Sequence, residues 1–234
     1  MISAAGFGAE AFAEAWRIIK SEFLLATWET IYATLLATLF AVIIGLPLGV
    51  LVVVGEKDGV LPLPKWLLAV INFIINVLRS VPFLILVIVL IPFTRVVVGT
   101  SVGTFASIVP LVVAAFPFIA RLVESSLREL NPNIVEMAQS MGASPMQIIV
   151  KVMLPECLPS LLSNLTIAIT TILGYTAMSG IVGGGGLGKI AINYGYYRYK
   201  TVVMIVAVVL LIVLVQIFQT VGTKVSAKSD KRLK

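Results

Sequence analysis

Uncharged apolar runs of about twenty residues recur along this 234-residue chain, and nothing else in it restricts the fold so severely. As a helix, a run of that length matches the ~30 Å hydrocarbon layer of a bilayer. Inside lipid every backbone N–H and C=O must then find its partner within the protein. Only 12% of the residues are charged, where a soluble domain carries about a quarter, and 59% are hydrophobic. The fold class that follows is all-α, a polytopic membrane helix bundle. Five transmembrane helices are expected, at about 30–54, 73–93, 102–120, 158–182 and 201–221. They make a transmembrane domain over 30–221, preceded by a segment at 1–29 and followed by a basic tail at 222–234.

Residues 1–29 mix Glu10, Glu14, Arg17, Lys20 and Glu22 with Phe12, Trp16, Ile19 and Phe23. A signal peptide is excluded by the lack of a basic n-region and a continuous apolar stretch, so an amphipathic helix lying at the interface is expected. The first span carries Gly45 and Gly49, a small-xxx-small pair that lets helices approach closely, with Pro47 between them. Arg79 near the start of the second span is placed shallowly, where its side chain can snorkel. Pro110 and Pro117 interrupt the third. Ser163, Asn164, Thr166, Thr170, Thr171 and Ser179 lay a polar stripe along the fourth, suited to bonding a neighbour or lining a path. The sequon at Asn164 carries no meaning at that depth.

Charge orients the bundle. With the C-terminus inside, eleven cations fall on the inner side and six on the outer, which places the N-terminus outside. Lys224, Lys228, Lys231, Arg232 and Lys234 suit anionic headgroups better than nucleic acid, despite a net charge of +6. With no His, His-dependent catalysis and His-ligated metals are excluded, and the single Cys157 makes no internal disulfide. No catalytic residue, cofactor or metal is expected. Gly183 to Lys189 nearly spells a phosphate loop, but Ile190 stands where a Mg²⁺-binding hydroxyl is required, and a membrane helix precedes it instead of a strand. A flexible or tightly turned outer loop is expected there. Tyr194, Tyr196, Tyr197 and Tyr199 read as an interfacial girdle, or as a mouth for an incoming partner.

The exception to the oil is 131–155, NPNIVEMAQSMGASPMQIIVKVMLP. Asn131 and Pro132 start a helix, Ile134, Ala138 and Met141 recur along one face, and Gly142 suits a left-handed C-cap. Ser144, Pro145 and Gln147 start a second helix with a capping box; Ile148, Ile149, Val152 and Met153 give it an apolar face, and Pro155 is expected to stop it.

This island resembles the signature loop of bacterial ABC importer membrane subunits, which reads Glu-Ala-Ala, three residues, Gly, nine residues, an aliphatic, one residue, Leu-Pro. Here Glu136, Ala138, Gly142, Val152, Leu154 and Pro155 fit it, with Met137 and Val152 as mild departures. Further stretches from about 27 to 221 resemble the methionine-uptake branch: TWET at 27–30, GLPLGV at 45–50, RSVPF at 79–83 and IPFTRVVVGTS at 91–101. PFIARLVE at 117–124, GASPMQI at 142–148, GYTAMSG at 174–180 and GGGGLG at 183–188 continue the series. Residues 1–26 match nothing in it.

The resemblance implies a type I ABC importer permease in the bacterial cytoplasmic membrane: a homodimer with two cytoplasmic ATP-binding subunits that hydrolyse the ATP. It also implies an extracytoplasmic methionine-binding protein, and the island becomes a cytoplasmic coupling helix. Coupling is then carried by Glu136, Met137, Ala138, Gly142, Ala143, Ser144, Pro145, Leu154 and Pro155. Within these, Glu136 anchors the docked helix by its charge, Gly142 allows the turn, and Pro155 passes motion into the fourth span. Tyr175, Met178 and Ser179 are placed on the translocation path, with plain core packing the other reading of Met178. Another small amino acid or an osmolyte fits the same architecture. An ATP-independent secondary transporter is disfavoured, since no carboxylate falls within the spans as drawn, Glu29 lying at the edge of the first.

Overall fold

The computed structural model describes residues 9–230, with side chains from Phe12 onward. Glu10 and the tail residues Lys231, Arg232 and Lys234 lie outside the described side chains. Among the described residues every regular element is helical. The chain starts with α1 (Ala9–Ile18), passes through a π-helical turn at Ile19–Phe23 and continues as α2 (Leu24–Val54). A turn leads to α3 (Lys65–Ser80), then α4 (Phe83–Val89), α5 (Ile91–Val98) and α6 (Thr104–Arg128). The island holds α7 (Pro132–Ser140), α8 (Pro145–Gln147), a π-helical turn at Ile148–Met153 and α9 (Leu154–Glu156). The remainder is α10 (Leu158–Ser179), a 3-10 turn at Gly180–Val182, α11 (Gly186–Ile190), a π-helical turn at Ala191–Tyr196 and α12 (Thr201–Ser229). Four helices, Phe12–Val54, Thr104–Arg128, Leu158–Val182 and Thr201–Ser229, are long and apolar enough to cross a bilayer; the bent pair α3–α4 raises the number to as many as five.

Two expectations about the spans change. Among the described residues no separate interfacial helix precedes the first span: the 43 residues of Phe12–Val54 run as one helix, about 65 Å at 1.5 Å per residue. That is twice the hydrocarbon thickness, so the helix tilts strongly or extends beyond it. The amphipathic front end does not lie apart, because Ala15, Phe23 and Ala26 are buried with Leu173, Leu187, Val203 and Ala207. The second span, expected as one helix over 73–93, is broken. Pro82 excludes the preceding residue from the helical region, Val81 is extended (φ −82°, ψ 124°), and the axis turns by 107°. Arg79 consequently sits exposed in the last turn of α3.

The chain divides into two compact units. One comprises the residues up to Thr38, Pro82–Val112 and Ile169–Phe218; the other comprises Leu39–Val81, Val113–Ala168 and the chain from Gln219. Within the second, Gly45 and Gly49 bring α2 hard against α6. A Cβ on Gly45 would lie 2.6 Å from the Phe116 carbonyl oxygen and one on Gly49 2.7 Å from Val123 Cβ. Val52, Ile75 and Ala120 fill the space between α2, α3 and α6. Both Pro110 and Pro117 lie inside the unbroken α6.

Adding a side chain at Gly49 forces that contact apart. Gly49→Val is expected to lower stability by about 1–3 kcal/mol, the range for overpacking a tight site, read as a lower thermal midpoint of the detergent-solubilised protein. Gly174→Ala, with nothing within 4 Å of the added carbon, should leave the midpoint unchanged or slightly raised.

Candidate functional site

The island is built by local chemistry that its sequence spells out. The Asn131 side chain accepts from the Asn133 amide, and Pro132 occupies the first turn of α7. The helix closes in a Schellman arrangement: Ala143 N–H donates to the Ala138 carbonyl and Gly142 N–H to the Gln139 carbonyl. Gly142 adopts φ +78°, which disfavours any residue with a Cβ, although open space surrounds it. Ser144 and Gln147 then form the capping box, with Ser144 N–H to Gln147 Oε1 at 2.9 Å and Gln147 N–H to Ser144 Oγ at 3.4 Å.

Burial sorts the island into two faces. Ala138, Ile148, Ile149 and Met153 are buried and hold it to the protein. Glu136, Met137, Gln139, Ser140, Ser144, Pro145 and Met146 are exposed. Met141 was expected on the apolar face with Ile134 and Ala138; it is 80% exposed, because it is the C-cap residue and the chain has left the helical path there. Three exposed methionines, Met137, Met141 and Met146, therefore share the island's outer surface with the Glu136 carboxylate and several amides or hydroxyls. Met is flexible and polarizable, and such a patch suits docking into a groove.

Pro155 does not stop the second helix. At the π-helical turn Leu154 N–H bonds the Ile149 carbonyl, five residues back, so the missing N–H of Pro155 falls where the hydrogen-bond register is already shifted. Helix continues to Glu156, a single turn residue, Cys157, follows, and α10 begins. Cys157 itself is buried. Leu154 is half-buried and Pro155 exposed at this join.

Sequence reasoning missed how the island's ends are fixed. Ser160 Oγ lies 3.1 Å from Ser126 Oγ and 2.8 Å from Glu129 Oε2. Asn164 Nδ2 donates to Ser126 Oγ at 2.8 Å and to the Leu122 carbonyl at 3.2 Å. The end of α6 and the start of α10 are thus joined directly beneath the island. Part of the polar stripe on α10 was the available signal, and Asn164 spends it on α6.

The three residues expected on a path occupy the last turns of α10 and do not share one environment. Tyr175 stacks on Phe83, ring centroids 4.6 Å apart and 8° from parallel. Met178 is exposed. Ser179 is buried; its hydroxyl donates to the Thr176 carbonyl and its own carbonyl accepts from Gly184 N–H.

The glycine run is tightly turned and buried from Gly184 to Gly188. It leaves no room for a phosphate, since a Cβ on Gly184 would meet Ser179 Oγ at 2.6 Å. Gly186, at φ +78°, donates its N–H to Glu29 Oε2 at 2.8 Å, and Leu187 donates to Thr30 Oγ1 at 2.9 Å. Glu29 thus caps a buried backbone turn. Thr30 and Thr34 continue the same face, Thr34 Oγ1 lying 3.3 Å from Thr176 Oγ1.

Beyond that turn, Tyr196, Tyr197 and Tyr199 are exposed, while Tyr194 donates to Glu22 and lies under Arg198 and Lys200. The hydrogen bond to the Glu22 carboxylate, with burial second, holds the Tyr194 phenol above its ordinary pKa. Lys200 pairs with Glu14 at 2.7 Å. Among the described residues no group of three or more His, Cys, Asp or Glu side chains is placed to hold a metal ion.

Residues 45–224 match the family model described as binding-protein-dependent transport system inner membrane component. The chain is 49% identical over 221 residues to a protein of Vibrio cholerae serotype O1 named probable D-methionine transport system permease protein MetI, covering 93% of this chain and 96% of that one. A protein of Escherichia coli K12 named D-methionine transport system permease protein MetI is 48% identical over 165 residues, 70% of this chain and 73% of the relative. Among solved structures, one described as inward-facing conformations of the MetNI methionine ABC transporter superposes with a TM-score of 0.87 at 45% identity. It covers 89% of this chain and 96% of that one. A structure described as an amino acid ABC transporter matches at a TM-score of 0.69 and 17% identity, a likeness of fold alone.

Ser144→Ala removes one half of the capping box outright. The island is expected to lose about 1 kcal/mol of local stability, which corresponds to roughly fivefold faster amide exchange over 146–148 by hydrogen–deuterium exchange.

Proposed function

This chain belongs to the family of binding-protein-dependent transport system inner membrane components, and from that premise we propose how it works as the permease subunit of an ATP-driven methionine importer. The observation that carries the reading is the island: a pre-shaped, methionine-rich, partly polar surface standing on a bonded α6–α10 base, in a chain nearly half identical to methionine permeases. The protein is a transport subunit of the inner membrane; a separate ATP-binding subunit hydrolyses ATP. It works as a permease dimer with that subunit, and two copies of it are expected per dimer.

In the proposed mechanism ATP draws the two nucleotide-binding subunits together and the docked islands follow. Glu136 anchors the docked face by charge, Met137, Ala143 and Pro145 complete its shape, Ala138 seats α7 on the protein from its buried side, and Gly142 with the Ser144 cap holds the angle between its helices. Leu154 and Pro155 carry displacement into α10 through a nearly continuous helix. At the far end of α10, Tyr175, Met178 and Ser179 line or gate the path, and a soluble methionine-binding protein delivers substrate on the outer side. The N-terminus is taken to be outside. The positive-inside balance, eleven cations against six, supports this.

The test is uptake into liposomes by the chain assembled with its ATP-binding subunit and binding protein. Methionine accumulation that requires ATP is expected, and Glu136→Lys should reduce it by about tenfold or more, as charge reversal in a docked contact does. Accumulation of a different solute would remove methionine and keep the importer. Transport persisting without the ATP-binding subunit would overturn the coupling.

A further inference from the structure

The polar side chains of the second unit form one further assembly that the island's own contacts do not use. Arg121, Glu124 and Arg128 lie at i, i+3 and i+7 on the last two turns of α6, one face of one helix. Arg121 Nη2 donates to Asn72 Oδ1 and to Asn76 Oδ1, each at 2.9 Å, and its Nη1 pairs with Glu124. Glu124 also accepts from Arg128 Nε at 3.1 Å and Nη2 at 2.9 Å, and Arg128 Nη2 reaches Glu56 Oε1 at 2.6 Å. The result is a continuous chain, Asn72 and Asn76 to Arg121 to Glu124 to Arg128 to Glu56. It ties α3 and the turn after α2 to the end of α6.

Three features give this chain a direction. Glu124 at its centre is only 13% exposed and is shared by two guanidinium groups, one on each carboxylate oxygen, so losing either arginine leaves one oxygen of a largely buried carboxylate without its ion pair. The outer members, Arg128 and Glu56, are about half exposed, so the strong end of the chain lies at Arg121 and α3. And α3 ends at the extended Val81, so its helical hydrogen bonding does not run on into α4 and its position depends on its side-chain contacts. The opposite face of the same stretch of α6, at Leu122 and Ser126, is bonded to α10 beneath the island.

We propose that Arg121, Glu124 and Arg128 are positioning residues that make α3 and the turn at 55–64 move as one body with the coupling island. This rests on the coupling reading given above. The end of α6 then distributes island motion two ways: through Ser126 and Asn164 into α10, and through the arginine–glutamate chain into α3. Loss of the chain leaves the island docked and ATP hydrolysed, while α3 no longer follows.

The experiment uses the complete reconstituted transporter and reads methionine uptake and ATP hydrolysis together. Glu124→Gln is expected to keep assembly with the ATP-binding subunit and most of the hydrolysis, and to reduce uptake per ATP by about tenfold, a loss confined to one of two measured rates. Glu56→Gln and Arg128→Gln should each lower the same ratio by about threefold, and the double variant should lose no more than Arg128→Gln alone, as coupled pairs do in a double-mutant cycle. Should Glu124→Gln not assemble, the Glu56–Arg128 cycle at the exposed end decides alone. A wild-type ratio in the variants, a proportional loss of uptake and hydrolysis, or additive losses in the double variant would each overturn the inference. Failure of the wild-type complex to take up methionine with ATP would instead overturn the function it rests on.

Discussion

In hydrocarbon no water is available to a stray amide, so every departure from helix in this chain has to be answered by another part of it. The turn before α11 is the sharpest case. Gly186 and Leu187 present two N–H groups with no carbonyl behind them, and Glu29 and Thr30, adjacent on α2, accept both. That sets a half-buried carboxylate on a buried turn for the sake of backbone satisfaction, without proton or ion coupling being needed to account for it. The break before Pro155 is answered differently, by widening the helix for one turn so that the bond proline cannot make is skipped.

What could be read from the sequence was what is settled within four or five residues. The caps at Asn131 and Ser144, the left-handed Gly142 and the close approach at Gly45 and Gly49 all depend on local geometry that a residue type dictates, and all appear as expected. The elbow at Val81–Pro82 was equally local, but the apolar run on both sides hid it, because hydropathy has no term for the backbone angle before a proline. Glu29, Asn164 and the arginine chain were out of reach for another reason. Their partners lie 157, 38 and 45 to 72 positions away, and a polar residue in a membrane helix says that a partner exists without saying which. Met141 failed because helical periodicity was extended one residue past the point where the helix ends.

Continuity of backbone gives the island its mechanical character. A pair of short helices closed off by prolines would behave as a hinged loop. Instead, the segment from Pro145 runs through a π-helical turn and a single non-helical residue into α10, whose 22 residues extend about 33 Å. Pro145 and the exposed Met146 therefore belong to one nearly continuous helical path with the start of α10, whereas Glu136 and Met137 stand on α7, across the Gly142 turn. Tyr175, stacked on Phe83, and Ser179, whose carbonyl accepts from Gly184, stand in the last turns of α10.

The energetic weight of the arginine–glutamate chain argues for register over stability. Its most exposed pair, Arg128 with Glu56, falls in the class of surface ion pairs that contribute about 0–1 kcal/mol. Its more buried centre gains from attraction what it loses in hydration, so an apolar replacement of the same shape could pack as well. Apolar contact between α3 and α6 is already supplied by Ile75 and Ala120, and such a surface tolerates small slides. A guanidinium bonded at once to two amides one turn apart and to a carboxylate does not, since a shift of a few ångströms along the helix breaks every bond together. Placing that arrangement on α6 one turn before the island therefore fixes where α3 stands relative to α6.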